Sequence, residues 1–356
     1  MNSSSKIYIA GHRGMVGSAI ISKLKTVGFS NIIFRTHEDL DLTVQKDTEE
    51  FFNKERPDYV FLAAAKVGGI YANNTYKADF IYQNIMIAAN VIHSSYKFGV
   101  KKLLNLGSSC IYPKFAPQPL KEEYLLTDLL EPTNEPYAIA KIAAIKLCRY
   151  YNEQYGTDFM SVMPTNLYGF NDNYDLENSH VLPAIIRKFH LAKLYQSENY
   201  EDIKNDFITY GIRSQKTAGT FTKEDIEEIL HRYNISKDSV TLWGSGTPYR
   251  EFLYADDLAD ACIFLVQRYN ASELNEFVNI GTGIDIRIKD LAALIKGIVG
   301  YEGEIKWDAS KPDGTPQKLL NVEKMNKLGW TAKTNLGDGI SMVYRDYKEK
   351  ALVSQQ

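Results

Sequence analysis

Short β-branched runs alternate with longer amphipathic stretches through the first half of the chain, and few folds can accept that alternation. Lys6–Ala10, Asn31–Arg35, Asp58–Ala63, Lys102–Leu106 and Phe159–Met163 read as strands. Met15–Val27, Val44–Lys54, Thr75–Lys97 and Tyr137–Tyr155 read as the helices between and after them. The strand runs are apolar on both faces, so both faces must be covered. Strand followed by helix, repeated, builds a parallel sheet with helices on each side.

Right-handed crossovers make such a sheet doubly wound, so the expected fold is α/β: a Rossmann doubly wound parallel sheet with a smaller C-terminal α/β substrate lobe. At 356 residues and 44% hydrophobic content the chain exceeds one minimal domain. The second half is less regular. Turn-rich segments at 166–173, 243–248 and 311–316 punctuate it, while Ala255–Tyr269 reads as a helix and Glu276–Ile280 as a strand returning to the main sheet. The expected division is therefore 1–165 plus about 255–283 for the dinucleotide domain, and 166–254 with 284–356 for the substrate lobe. Residues 195–239 are polar and charged, contain one expected helix at Lys223–Tyr233, and look like an insertion.

Several classes are excluded early. The formal net charge is -3 and no long basic run occurs, so nucleic acid and anionic membranes are not expected partners. No apolar run reaches the roughly 20 residues of a membrane span. Met1 to Ser5 is polar and leads straight into a strand, which makes the cytoplasm the expected compartment. Cys110, Cys148 and Cys262 are scattered, giving neither a disulfide framework nor a metal-ligand spacing; no metal is expected.

The run Gly11-His-Arg-Gly14-Met15-Val16-Gly17 follows the first strand and opens the first helix. Glycines there permit a tight turn and close approach of backbone to a pyrophosphate, whose charge meets the helix N-terminus. The second strand ends in Arg35, followed by Thr36 and His37, where an NAD site would carry an acid for the ribose 2′-hydroxyl. Arg35 and Arg13 offer guanidinium groups to a 2′-phosphate, so NADPH/NADP is the expected cofactor. Asp41 and Leu42 would flank the adenine. Ala63, Ala64 and Ala65 end the third strand, and Pro164, Asn166 and Leu167 follow the fifth, at the carboxyl ends where a cofactor lies.

Tyr137-Ala-Ile-Ala-Lys141 sets a phenol and an ammonium on one helical face. A free phenol has a pKa of about 10, and a nearby cation favours its ionised form, which suits proton transfer at a carbonyl beside a hydride donor. Taken alone the spacing is common on helix surfaces; its place after the fourth strand gives it meaning. Ser108, at the end of that strand, is the expected hydrogen-bond partner of the substrate oxygen, with Ser109 beside it. A buried cysteine is usually a small apolar filler. Cys110, on this loop, can instead act as a base on a C–H next to a ketone, with His180 as the matching acid.

The runs AGHRGMVGSAI, LAAAKVGGI, ADFIYQN, LGSSCIYPK, EPTNEPYAIAKIA, SVMPTNLYG, WGSGTP and KPDGTP stand in that order. Together they are strongly similar to the GDP-L-fucose synthase family, also called GDP-4-keto-6-deoxymannose 3,5-epimerase/4-reductase, within the extended short-chain dehydrogenase/reductases. The resemblance covers nearly the whole chain outside 195–239. It implies Ser108, Tyr137 and Lys141 as the reductase triad, and Cys110 and His180 as epimerase base and acid. His180 would also border the cofactor. Asn166, Arg187, Trp243, Arg250 and Lys311 would hold the GDP-sugar, and a homodimer through the helices 75–97 and 137–155 is implied. Read bare, Arg187 would be a helix-surface charge and Trp243 a core aromatic.

The segment 195–239 and the run Phe170-Asn171-Asp172 depart from the family pattern. A C4 reductase of a GDP-4-keto-6-deoxy-heptose without epimerase activity, as in capsule heptose biosynthesis, is therefore the alternative. A non-catalytic NADP-binding regulator on this fold is expected to lose the Tyr or the Lys, both kept here. The Arg35 environment and the Cys110/His180 pair speak against an NAD-dependent dehydratase or 4-epimerase.

Overall fold

A computed structural model describes residues 1–353 apart from 215 and 312. The chain divides into two compact units. The first is Met1–Leu167, Glu251–Ile284 and Lys318–Lys333; the second is Tyr168–Arg250, Asp285–Gln317 and Thr334–Gln356. Lys318–Lys333 therefore joins the first unit, whereas the sequence had assigned 284–356 to the substrate lobe as a block. No helix among the described residues is long and apolar enough to cross a membrane.

The first unit is built on a six-stranded parallel sheet. Its strands are β1 (Ile7–Ala10), β2 (Ile32–Ile33), β3 (Tyr59–Leu62), β4 (Lys102–Leu106), β5 (Phe159–Pro164) and β6 (Val278–Ile280), ordered β2-β1-β3-β4-β5-β6. Strand periodicity explains how both faces are sealed. Ile7 and Ile9 of β1 join Phe61, Leu104, Leu106, Met160 and Val162 in a core under the helices Met15–Thr26 and Ala255–Arg268. Tyr8 and Ala10 turn the other way. They meet Val60, Leu62, Leu103 and Phe159 beneath Gln45–Glu55, Lys77–Lys97 and Glu135–Tyr155, which supply Phe52, Val91, Ile92 and Ala144. Each buried Val, Leu, Ile, Phe or Met among them contributes about 1.5–3 kcal/mol. The strand order reverses between β1 and β3, and in sheets of this class ligands bind outside the carboxyl ends of the strands at that point.

In the second unit the strands Ser239–Trp243 and Glu304–Asp308 pair in parallel, with Thr241 opposite Lys306 and Trp243 opposite Asp308. The helices Val181–Gln196, Ile288–Val299 and Leu336–Val353 belong to the same unit. The segment 195–239 holds two helices rather than one, Tyr200–Tyr210 and Lys223–Arg232. The second begins with a reciprocal capping box between Thr222 and Asp225. Ile203, Phe207, Phe221, Ile226, Ile229 and Leu230 are buried, so this segment is packed into the unit.

Candidate active site

The loop after β1 is shaped by backbone crowding. Gly11 adopts a left-handed φ of +85°, and a Cβ added there would stand 2.8 Å from the Ala63 carbonyl and the Ala64 nitrogen. A Cβ on Gly17 would lie 2.1 Å from the Gly11 oxygen, so helix and loop touch through backbone alone. Gly14 caps the helix Met15–Thr26 without a side-chain bond, which leaves the first-turn N–H groups of Met15, Val16 and Gly17 with no side-chain acceptor at the cap. Backbone N–H groups grouped in this way are able to hold an anion such as a pyrophosphate. Ala63 and Ala64 form the loop's second wall. The Asn84 amide holds the segment after them by bonding both Lys66 N–H and Lys66 carbonyl, at 2.9 and 3.0 Å.

Arg35 is more committed than the sequence suggested. Its Nη2 donates to Glu55 Oε1 at 2.7 Å and its guanidinium lies 5.4 Å from the Phe51 ring centre. Arg13 is the more available cation: its side chain is 71% exposed and only 3.9 Å from Glu38. His37 stands exposed nearby, 3.9 Å from Asp41. Leu42 is buried, and its carbonyl accepts from Asn90 at 2.9 Å.

At the end of β4 the chain makes a short 3-10 turn, Ser109–Ile111, with Ser108 as its cap. Ser108 Oγ accepts from the Cys110 N–H at 3.4 Å. Ser109 and Cys110 are both 7% exposed. Burial pushes the Cys110 thiol up, while the Ser108 hydroxyl and the ammonium groups of Lys318 and Lys141 pull it down. Tyr137 and Lys141 lie one turn apart on Glu135–Tyr155, with Lys141 Nζ 5.6 Å from the phenol ring centre. Lys141 donates to the Leu106 carbonyl at 2.8 Å, which fixes the helix against the end of β4. Phe80 meets the Tyr137 ring edge-to-face at 6.4 Å. A Cys110 thiolate would act electrostatically on both Tyr137 and Lys141, so these residues share one neighbourhood.

One expectation is corrected here. The ammonium was expected to lower the phenol pKa, but in the free protein burial dominates and raises it. The same burial brings Lys141 down to about 8, so the cation that should assist is itself disfavoured.

After β5, Asn166 Nδ2 donates to the Glu251 carbonyl at 2.8 Å, and Leu167 packs into the sheet's core. Glu251 was missed by sequence reasoning. It is fully buried, and its carboxylate accepts from the N–H groups of Thr282 (2.6 Å), Gly283 (2.8 Å) and Leu320 (2.9 Å). A Cβ on Gly281 would fall 2.2 Å from its Oε1. The signal was an acid at the head of the apolar run Phe252-Leu253-Tyr254 and a Gly-Thr-Gly turn thirty residues on.

In the second unit, His180 caps the helix Val181–Gln196, and protein packed around its ring lowers its pKa by desolvation. Arg187 is not available to a substrate, against expectation. It is 0% exposed, and its guanidinium donates to Asp206 Oδ1 (2.8 Å), Tyr174 O (2.9 Å) and Gly211 O (2.7 Å). Asp206 belongs to the helix Tyr200–Tyr210, and Tyr347 donates to its other oxygen. A buried guanidinium so occupied is a core ion pair.

The neighbouring Lys188 is different. It is 8% exposed, donates once, to Thr241 O at 3.3 Å, and has no carboxylate within ion-pair distance among the described residues. Burial brings it down to about 8. The spacing His180, Ala184, Lys188 sets it on the face of His180, a signal the sequence did carry. Trp243 is 64% exposed, with Lys311 Nζ 5.4 Å from its ring centre. Asp313, also missed, holds the 243–248 turn by accepting from Ser245 N (2.9 Å) and Oγ (2.7 Å). Its charge also acts on the Arg250 guanidinium, which burial would otherwise discharge more readily.

A doubly wound parallel sheet, a glycine cradle after β1, and Ser108, Tyr137 and Lys141 gathered at the end of β4 define an oxidoreductase of the extended short-chain dehydrogenase/reductase class. The chain belongs to the NAD dependent epimerase/dehydratase family, whose description matches residues 7–207 and 207–281. It is 54% identical over 344 residues to GDP-L-fucose synthase 1 of Arabidopsis thaliana, covering 97% of this chain and 93% of that protein. Among solved structures it is similar to a GDP-6-OMe-4-keto-L-xylo-heptose reductase from C. jejuni, with a TM-score of 0.92 and 44% identity over 98% of this chain and 99% of that one. MlghC, a GDP-mannoheptose C4 reductase from Campylobacter jejuni solved with NADP bound, is similar with a TM-score of 0.86 and 43% identity over 98% and 99%.

Proposed function

We propose that this protein is an NADP-dependent oxidoreductase that reduces the C4 ketone of a GDP-4-keto-6-deoxy sugar and epimerises C3 and C5 beforehand, as a GDP-L-fucose synthase does. It would work in the cytoplasm as a homodimer. The observation that carries the reading is a buried thiol, Cys110, in the same neighbourhood as Ser108, Tyr137 and Lys141. A reductase alone needs the last three; a base beside them adds proton transfer at carbon.

The backbone cradle at Gly11, Gly14 and Gly17 fits a pyrophosphate, and Arg13 with Arg35 and His37 suits a 2′-phosphate. Bound NADPH supplies the hydride for C4. Cys110 takes the proton from the carbon next to the ketone, Ser108 and Tyr137 stabilise the resulting enolate oxygen by hydrogen bonding, and His180 returns a proton. In the reductive step Tyr137 gives its phenolic proton to the C4 oxygen, and Lys141 stabilises the phenolate left behind. Lys188, rather than Arg187, is assigned with Arg250 and Lys311 to the GDP pyrophosphate, because it is a buried cation with no carboxylate partner. Trp243, exposed and beside Lys311, is assigned to the nucleoside. Exposed Tyr82, Tyr96, Tyr150 and Tyr155 on Lys77–Lys97 and Glu135–Tyr155 support a dimer through those helices.

The test is incubation with GDP-4-keto-6-deoxymannose and NADPH in deuterated water, with the product read by NMR. Deuterium at C3 and C5 and a reduced C4 are expected. Cys110→Ser should abolish the deuterium incorporation while an already epimerised ketone is still reduced; incorporation at the wild-type rate in that variant refutes the base assignment. A second reading is favoured by the similarity to the two C. jejuni heptose reductases: reduction of a GDP-4-keto-heptose with no epimerisation. A heptose product lacking deuterium, with the deoxymannose substrate untouched, would select it.

A further inference from the structure

The second unit contains a cavity of about 530 Å³ that the proposed reaction does not use. It is lined by Asp172, Tyr174, Tyr210, Asp346, Glu349 and Lys350, with Asn171 and Thr209 completing the wall. None of Ser108, Cys110, Tyr137 or Lys141 lines it.

Two buried oxygens in this wall lack partners. Tyr174 is 4% exposed, yet its hydroxyl makes no hydrogen bond. Asp172 Oδ1 accepts from the Asn173 N–H at 2.7 Å, but Oδ2 is buried and unbonded. Buried polar atoms of this kind normally find a partner, and leaving them without one is costly. The wall's charge says what the partner should be. Three carboxylates, Asp172, Asp346 and Glu349, face one ammonium, Lys350, which leaves two negative charges in excess when all three are ionised. Lys350 itself bonds Asp346 (2.7 Å) and Asn171 Oδ1 (2.9 Å). Two aromatic rings supply apolar surface: Tyr174 and Tyr210 stand 5.1 Å apart at 60°, and the Tyr210 hydroxyl is already used on the Tyr347 carbonyl. An anion is repelled here, and a neutral polyol leaves the charge uncompensated.

We propose that this cavity binds a protonated alkyl diamine or polyamine, its ammonium end bonded to Asp172 and the Tyr174 hydroxyl and its methylene chain lying along the tyrosine rings. An ammonium carries three donors, which suits two orphaned acceptors and one further carboxylate. None of the residues lining it is assigned to the nucleotide-sugar chemistry, so occupancy and turnover are measured independently.

Burial raises the Asp172 carboxyl to about 7, and the ammonium pairs with its ionised form, so the carboxyl proton must be released to solvent on binding. Amine affinity therefore climbs as pH rises from about 6 to 8. The other charged or titratable groups lining the cavity are Asp346, Glu349, Lys350, Tyr174 and Tyr210.

The experiment is calorimetric titration of the full chain with putrescine, with butanediol as the uncharged isostere. Putrescine should bind saturably at one per chain and butanediol should not. Asp172→Asn should weaken putrescine roughly tenfold or more, the usual loss with an ionic hydrogen bond. Glu349→Gln, at the cavity rim, tests the charge without disturbing a buried group and should weaken it several-fold, about half as much on a logarithmic scale. No saturable heat with putrescine, equal binding of butanediol, or unchanged affinity in both variants overturns the proposal. Should Asp172→Asn fail to fold, the Glu349→Gln and butanediol results decide it.

Discussion

Lys141 and Lys188 are both buried ammonium groups brought from the ordinary 10.5 down to about 8. Below about 8 the folded chain must hold each charge in a poor environment, and the full penalty is present. Between about 8 and 10.5 the folded chain releases the proton while the unfolded chain keeps it, so stability rises with pH. Each such shift corresponds to about 3 kcal/mol. Lys188→Met should therefore raise the unfolding free energy at pH 7 by up to about 3 kcal/mol, with the gain shrinking above pH 8, and should weaken GDP binding about tenfold. Urea melts at pH 7 and 10 with GDP titrations check both; a variant that is less stable and binds GDP as before marks Lys188 as merely structural. Tyr137→Phe keeps the ring against Phe80 and removes the proton. Its kcat should fall by about 10² to 10⁴ with NADPH affinity unchanged, and the wild-type rate should decline as pH rises through about 8, where Lys141 discharges. A Phe variant with near-normal turnover means another group protonates the C4 oxygen.

Among the elements, the helix Tyr200–Tyr210 carries the clearest dependency. Asp206 is the carboxylate within ion-pair distance of Arg187 among the described residues, and both are fully buried. Asp206→Ala should cost about 3–5 kcal/mol because it strands a buried guanidinium, and the double variant with Arg187→Met should recover most of that loss. Denaturant midpoints of the three chains measure it; purely additive losses would show that the pair is not coupled. This helix was invisible in the sequence because Asn205 and Asp206 sit on its buried side, where periodicity asks for apolar residues. The alternation of Ile7 and Ile9 against Tyr8 and Ala10, the glycine turn and the Tyr137–Lys141 spacing were legible because each is set by local geometry. The fate of Arg187, the clamp by Asp313 and the bonds of Glu251 were not, since each depends on a partner 19 to 69 residues away. The phenol's raised pKa was missed for another reason: burial is a property of the fold, and spacing says nothing of it.

At the scale of the whole molecule, the division into units is crossed repeatedly by the chain, at residues 167, 250, 284, 317 and 333. The opening segment thus looks like a complete domain in sequence and is not one. Without Ala255–Arg268 and Val278–Ile280, the core around Ile7, Ile9, Leu104 and Val162 keeps only the helix Met15–Thr26 over it, and β5 becomes an open edge. A fragment ending at residue 167 should lack a cooperative thermal transition and bind a hydrophobic dye; a sharp melt by circular dichroism would show that the later segments are dispensable.

The carboxylate of Glu251 gives this crossing a temporal meaning. Its acceptor bonds close only when the Thr282–Gly283 turn and Leu320 have both arrived. During synthesis this acid must therefore wait, its full set of bonds unmade, until Leu320 has left the ribosome. Nascent chains of this design finish late, and a stall just before that leucine leaves an acid in the interior short of one donor.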